Sequence, residues 1–283
     1  MVALIDSPAG PRPQDTTTHH RVRAPRRRPR LWRGVVLGIA AVYFILPLYA
    51  ALKFALSKPG GGITFNAFSS IPSQLGFSAA FELSLRLALV TTVITLVLMV
   101  PTAVFVHLRY PNLRRLFDGI TILPIVIPPV VLIVGVLEVA PTFLKSTPYL
   151  LSLEYVVLAM PFAYRSLDAG LQAMDLKTLV EAGRSLGSRS VSTLLRVVIP
   201  NLRSAILSAT VLTVALVLGE YTMATLDQYQ TFSVWIVYFD ADNAQVSVAA
   251  SFLALVVTWL LLMVILSFDL RRTRRSVQQK GAA

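Results

Sequence analysis

The chain has 283 residues, 55% hydrophobic and only 14% charged, with 26 Lys and Arg against 14 Asp and Glu for a net charge of +12. A soluble domain of this size carries nearer ~25% charged residues, so the composition describes an integral membrane protein organised as one membrane domain. It contains no cysteine, which excludes disulfides, thiolate catalysis and cysteine metal sites.

The N-terminal stretch interleaves Arg21, Arg23, Arg26, Arg27, Arg28, Arg30 and Arg33 with Pro25 and Pro29. Such a tract reads as a disordered, solvated tail over 1–33. The apolar run that follows extends to about Leu56, longer than the roughly 7–15 residues of a secretory signal core, and no small-residue cleavage pattern follows closely. It is read as a retained first span.

A helical span needs about 20 mostly apolar residues to cross roughly 30 Å of hydrocarbon. Six segments qualify, near 34–56, 83–108, 119–139, 149–166, 204–226 and 247–269. The runs are continuous rather than alternating, which predicts helices and not a barrel. The expected fold is therefore an all-α membrane protein with a six-helix domain over 34–270 and a basic tail over 271–283. With the N-terminus placed in the cytoplasm, all basic residues except Lys53, Lys58, Arg86 and Lys145 fall on the inner side, as the positive-inside rule requires. Both termini are then cytoplasmic. The net charge thus fixes topology and meets anionic membrane lipid. Its division among four segments argues against nucleic acid as a partner.

The loop at about 58–82 holds Gly60, Gly61 and Gly62 and is turn-rich. The third span reads LPIVIPPVV, and Pro124, Pro128 and Pro129 predict a kink, since each proline removes a backbone donor. Freed carbonyls in a membrane need neighbours or water, so Pro128 is a candidate pathway residue; a packing kink is the alternative. The fourth span is the weakest, being short and carrying Glu154.

The connection at about 167–203 is polar, basic and helical in pattern. Asp175 or Thr178 can cap a first helix, with Leu176, Leu179, Val180 and Leu186 as its apolar stripe. Gly187 can end that helix in the left-handed conformation. Ser190 can cap a second, whose continuation Pro200 limits.

The fifth span ends in Gly219, Glu220, Tyr221 and Thr222. A carboxylate in a span usually faces a cavity or a partner. Glu220 and Tyr221 are candidate pathway residues, or Glu220 pairs with Arg86 or neighbouring backbone. The outer loop at about 227–246 carries Asp227, Asp240 and Asp242 among Tyr229, Phe232, Trp235, Tyr238 and Phe239. These aromatics form an interfacial belt or a surface for an external partner.

The basic loop resembles the signature loop of permease subunits of ATP-binding-cassette (ABC) importers. That pattern is Glu-Ala-Ala, three residues, Gly, nine residues, Ile, one residue, Leu-Pro. Here it is Glu181-Ala182-Gly183, Gly187, Val197 and Ile199-Pro200, with the spacing kept and three small departures. The resemblance covers roughly residues 80–270. It implies a coupling helix around Glu181–Leu186 that fits a groove on a separate ATPase dimer, with Gly187 permitting the turn. Arg184 and Arg189 then contact the ATPase, or else lipid. It also implies a second permease subunit and an extracytoplasmic solute-binding protein. The Thr231–Ile236 segment and the C-terminal half look most like the polyamine and ferric-iron branch, with a polyamine or similar cation as the expected solute and iron, an oxyanion, a phosphonate or a sugar as alternatives.

The sequence contains no G-x-x-x-x-G-K-[ST] phosphate loop, so ATP hydrolysis falls to the partner and this chain is expected not to be an enzyme. His19 and His20 lie in the tail and His107 stands alone; no catalytic set, metal cluster or cofactor motif is visible. No internal repeat supports the competing reading, a secondary transporter driven by an ion gradient.

Overall fold

The computed structural model describes residues 31–58 and 60–280. Residues 1–30 and 281–283, and with them all but the last three residues of the expected disordered tail over 1–33, lie outside the described residues; 31–33 belong to the first helix. Contacts divide the chain within its first helix into residues 1–47 and 48–283. The first helix, α1, is Leu31–Leu56, with Pro47 inside it. In the first unit its apolar side chains, including Leu37, Ile39 and Phe44, are exposed.

In the second unit, α2 (Asn66–Ser70) and a 3-10 turn lead into α3 (Phe77–Arg109). At 1.5 Å per residue α3 is about 50 Å long, more than a hydrocarbon core needs. Then come α4 (Arg114–Val126), α5 (Pro129–Val139), α6 (Thr142–Lys145), α7 (Tyr149–Gln172), α8 (Leu176–Ser185), α9 (Ser190–Thr193), α10 (Ile199–Gly219), α11 (Thr222–Leu226) and α12 (Phe232–Lys280). Among the described residues five helical stretches are long and apolar enough to span a membrane, and α4 with α5 makes a sixth if that pair is one span.

Several expected boundaries need correction. The third span is not one kinked helix. It breaks at Ile127–Pro128, where both residues take extended ψ values, and α4 and α5 meet at 94°. Consecutive prolines at 128 and 129 explain this, because the residue before a proline is pushed out of the α region. The fifth span stops at Gly219 rather than continuing to 226, since Glu220 is extended. The expected outer loop at 227–246 is helical from Phe232, with a break at Asn243, and α12 continues through the basic segment to Lys280.

Three helices, α3, α7 and α10, form the centre. Gly170 on α7 lets α10 approach until a Cβ there would lie 2.4 Å from the Ala205 Cβ; small residues permit such contacts in membranes. As expected of the weakest span, α7 has the lowest mean hydropathy of the five, 1.2, and it is also the most buried of them. Its Glu154 points into protein rather than lipid, at 2% exposure, which is where an intramembrane carboxyl is tolerated. Met99, Ala103, Leu167, Leu171, Leu202 and Ala209 pack the end near α8. Leu87, Ile133, Leu151, Val217 and Met223 pack the opposite end. A third cluster joins Ala55, Ala67, Ile71, Phe232, Trp235 and Val246. Polar ties fix it: Trp235 Nε1 donates to the Leu75 carbonyl at 3.0 Å, and the Phe232 amide donates to Ser84 Oγ at 2.7 Å.

Candidate functional site

The segment between α7 and α10 is ordered by its own polar chemistry. Asp175 caps α8: Oδ1 accepts the Thr178 amide at 3.3 Å and Oδ2 accepts the Thr178 hydroxyl at 2.7 Å. These bonds, the hydroxyl first, hold the Asp175 carboxyl below the usual carboxylate range. The cap is therefore charged at neutral pH and weakens only as acid protonates it. One face of α8 is anchored by Leu176 and Val180, which are buried in the cluster with Leu171 and Leu202.

The C-terminus of α8 closes in a Schellman motif. Gly187 takes φ +77°, its amide donates to the Arg184 carbonyl at 2.8 Å, and the Ser188 amide donates to the Gly183 carbonyl at 3.0 Å. Gly183 is buried, and a Cβ on it would sit 3.1 Å from Thr193. Thr193 is itself held, with its hydroxyl hydrogen-bonded to Ser188 Oγ at 3.1 Å. The glycine that departs from the Glu-Ala-Ala pattern therefore lets α8 press against α9.

Leu186 does not join the buried stripe expected of it. It projects at the turn and is 88% exposed. Glu181, Ala182, Arg184, Gly187 and Arg189 are exposed around it, with Val191 and Leu195 also open. No hydrogen bond among the described residues reaches the Glu181 carboxylate. The loop thus presents an apolar tip ringed by charge.

Pro200 does not end the second helix. A π-helical turn at Leu194–Val198 joins α9 to α10, and Pro200 occupies the first turn of α10. The wider turn bonds the Ile199 amide to the Leu194 carbonyl, and Asn201 Nδ2 donates to the Val197 carbonyl at 2.8 Å. In the first turn of a helix a missing amide costs little, which is why the proline is tolerated there.

Sequence reasoning missed a brace beside this loop. Asp168 on α7 accepts Arg114 Nε at 2.6 Å and Nη2 at 2.7 Å, and Gln172 Nε2 at 2.7 Å. His107 of α3 lies 3.5 Å away. Arg114 had weight only as a topology charge; an Asp within a mostly apolar helix was the available signal. Asp168→Ala strands the Arg114 fork in a partly buried place. It is expected to cost about 1.5–3 kcal/mol, the range for hydrogen bonds to charged groups, read as a lower unfolding midpoint in detergent. Arg114→Lys should recover little of this, because lysine lacks the bidentate geometry.

The other candidate residues lie at the opposite end. Glu220 is extended and caps α11: its carboxylate accepts the Met223 amide at 2.9 and 3.1 Å, the Ala224 amide at 3.3 Å and the Tyr155 hydroxyl at 3.2 Å. Arg86 pairs with Glu82 on its own helix and not with Glu220. Tyr221 is exposed, and Pro128 is exposed at the α4–α5 break. α5 packs on α11, so the break and the Glu220 cap belong to neighbouring elements.

These features define a multi-pass helical membrane protein whose bundle presents a helix–turn–helix at one end. By sequence the chain is similar to a probable molybdenum ABC transporter permease protein of Haloferax volcanii, 29% identical over 229 residues, which cover 75% of this chain and 82% of that protein. By structure it is similar to a chain of a bacterial ABC transporter involved in the import of the acidic polysaccharide alginate, at TM-score 0.60 and 16% identity, covering 87% of this chain and 95% of that one. A bacterial alginate ABC transporter in complex with an alginate pentasaccharide-bound periplasmic protein matches at TM-score 0.54 and 16% identity, covering 87% and 98%. The fold is that of chains from ABC importers. No known family profile matches the sequence.

Proposed function

We propose that this chain is the permease subunit of an ABC importer. The observation that carries the proposal is the exposed Leu186 tip on α8, anchored through Leu176 and Val180 to the bundle centre. A short helix so mounted transmits a push from a docked partner to α7 and α10. The partner is a separate ATPase dimer on the cytoplasmic side, which places both termini in the cytoplasm. Glu181, Ala182, Arg184, Leu186, Gly187 and Arg189 form the docking surface, and Gly183 and Pro200 shape it. A second permease subunit completes the pathway, and an external binding protein delivers the solute. The chain contributes no ATP chemistry of its own.

For the solute we favour an oxyanion of the molybdate kind over a polyamine. The Haloferax volcanii relative is a probable molybdenum ABC transporter permease protein. The cation reading rested on the likeness of the Thr231–Ile236 segment and the C-terminal half to the polyamine branch and on the acidic, aromatic outer loop, and Glu220 would have supported it only as a pathway residue. Glu220 is occupied by the α11 cap, and Phe232 and Trp235 are buried against each other with rings 6.1 Å apart. Neither arrangement leaves them free to receive an ammonium group.

Uptake of labelled molybdate and of labelled putrescine, compared in cells with and without the chain, tests both levels. The expected result is molybdate uptake that requires the chain and ATP, is displaced by tungstate, and is indifferent to putrescine. Chain-dependent putrescine uptake would return the polyamine reading to first place. Uptake that survives ATP depletion but follows an ion gradient would overturn the importer reading.

A further inference from the structure

The end of the bundle opposite α8 holds an acidic group that the transport reading does not use. Glu154 on α7 is 2% exposed, and neither of its carboxyl oxygens accepts a hydrogen bond from a donor among the described residues. Its neighbour across the contact is Asp227, which follows α11 and has a buried, equally unpartnered Oδ2. The two carboxyl groups lie within hydrogen-bonding reach. Glu220 adds a third carboxylate to the same field.

Among the described residues no ion pair reaches Glu154 or Asp227. Tyr155, beside Glu154, donates its hydroxyl to Glu220. Tyr229 lies close to Asp227. The buried polar residues of α3, which packs on α7, are Ser84, Thr91, Thr92 and Thr95, none charged. Arg114 of α4 is committed to Asp168. Lys145 of α6 is exposed and turned to the Glu138 carbonyl, while Glu138 of α5 is itself exposed. Two ionised carboxylates present only acceptors to each other, and burial makes their repulsion severe. A hydrogen between them turns the same contact into a short, charge-assisted bond. Burial raises Asp227 from the usual carboxylate range, and a bond from Glu154 opposes that rise, which suits Asp227 as the acceptor and Glu154 as the donor.

We propose that Glu154 and Asp227 hold one shared proton at neutral pH, forming a carboxyl–carboxylate latch that fastens α7 to the segment after α11. The latch is a proton-binding site at the outer end of the bundle. Losing the proton leaves two buried anions in contact and releases the segment. The folded pair binds one proton that the unfolded chain has released at neutral pH, so stability falls as pH rises through the pair's titration.

The full-length chain in lipid nanodiscs, followed by infrared spectroscopy from about pH 5 to about pH 10, reads this directly across and above the ordinary carboxyl range. The expected result is a protonated-carboxyl C=O band that persists at neutral pH, disappears in Glu154→Gln and shifts in frequency in Asp227→Asn. Thermal unfolding of wild type should lose midpoint as pH rises above neutral. Glu154→Gln, whose amide still donates to Asp227, should remove that dependence. A neutral-pH spectrum of wild type without the band, or a band unchanged by Glu154→Gln, would overturn the latch. So would a band lost at constant pH on adding sodium chloride, which would assign the site to a metal cation instead. The wild-type titration decides the matter even if a variant folds poorly.

Discussion

Leu186→Glu leaves the chain folded in the membrane and removes the ATPase from it. The side chain is 88% exposed, so nothing within the bundle depends on it. Fully burying a leucine contributes about 1.5–3 kcal/mol, and placing a carboxylate in the same apolar groove adds a desolvation penalty. Since 1.4 kcal/mol is a factor of ten, affinity for the ATPase should fall at least about 10–100-fold. The measurement is affinity purification of tagged chain in mild detergent, with the ATPase quantified by mass and by hydrolysis, beside solute uptake in cells. Leu176→Glu is the contrasting variant. Leu176 is buried beneath α8, so its change should lower abundance of the chain itself. Gly187→Val should behave like Leu186→Glu in uptake, because a β-branched residue is strained at φ +77° and the tip would be re-aimed. If Leu186→Glu retains the ATPase at wild-type level, the exposed tip is not a docking surface and the coupling proposal fails.

The loop that carries this prediction was legible because its determinants are local. A capping Asp175, an apolar pair at 176 and 180 and a glycine at 187 each act over one helical turn, and the structure uses all of them. Pro200 misled because a proline's cost depends on what its neighbours do. Here a π turn precedes it and it falls in the first turn of α10, where its missing amide costs little, and composition does not announce either feature. The prolines at 128 and 129 announced a disturbance but not its size, since pushing the preceding residue out of the α region requires a break without fixing an angle such as the 94° seen here.

Charged residues within the spans were the least legible. Hydropathy counts Glu154 as a defect of its helix, yet its face decides its cost, and that face is buried. Glu220 reads from sequence as a membrane carboxylate, whereas the helix break at Gly219–Glu220 creates orphan amides for it to accept. Asp168 and Arg114 are 54 residues apart, and no local pattern pairs them. In each case the partner that gives the charge its meaning comes from a different helix.

Gly170→Ala is the smallest change with a large expected effect, and its rescue is specific. The new Cβ would stand 2.4 Å from the Ala205 Cβ and 3.0 Å from Leu202 Cδ1, against an ordinary carbon contact of about 3.5–4.0 Å. The leucine tip can turn, but Ala205 has no rotamer to change, so α7 and α10 must separate. Overpacking of this kind costs about 1–3 kcal/mol, and should appear as a lower unfolding midpoint. The displacement falls beside Leu171 and Leu202, which seat Leu176 and Val180 of α8, so uptake should fall further than stability alone explains. Ala205→Gly removes the opposing carbon. Alone it costs roughly 1 kcal/mol of helix propensity. Combined with Gly170→Ala it should restore midpoint and uptake toward wild type, a favourable coupling expected only of residues in contact. If the double variant is instead as unstable as the sum of the two single changes, the α7–α10 approach is looser than described, and α8 does not draw its rigidity from that crossing.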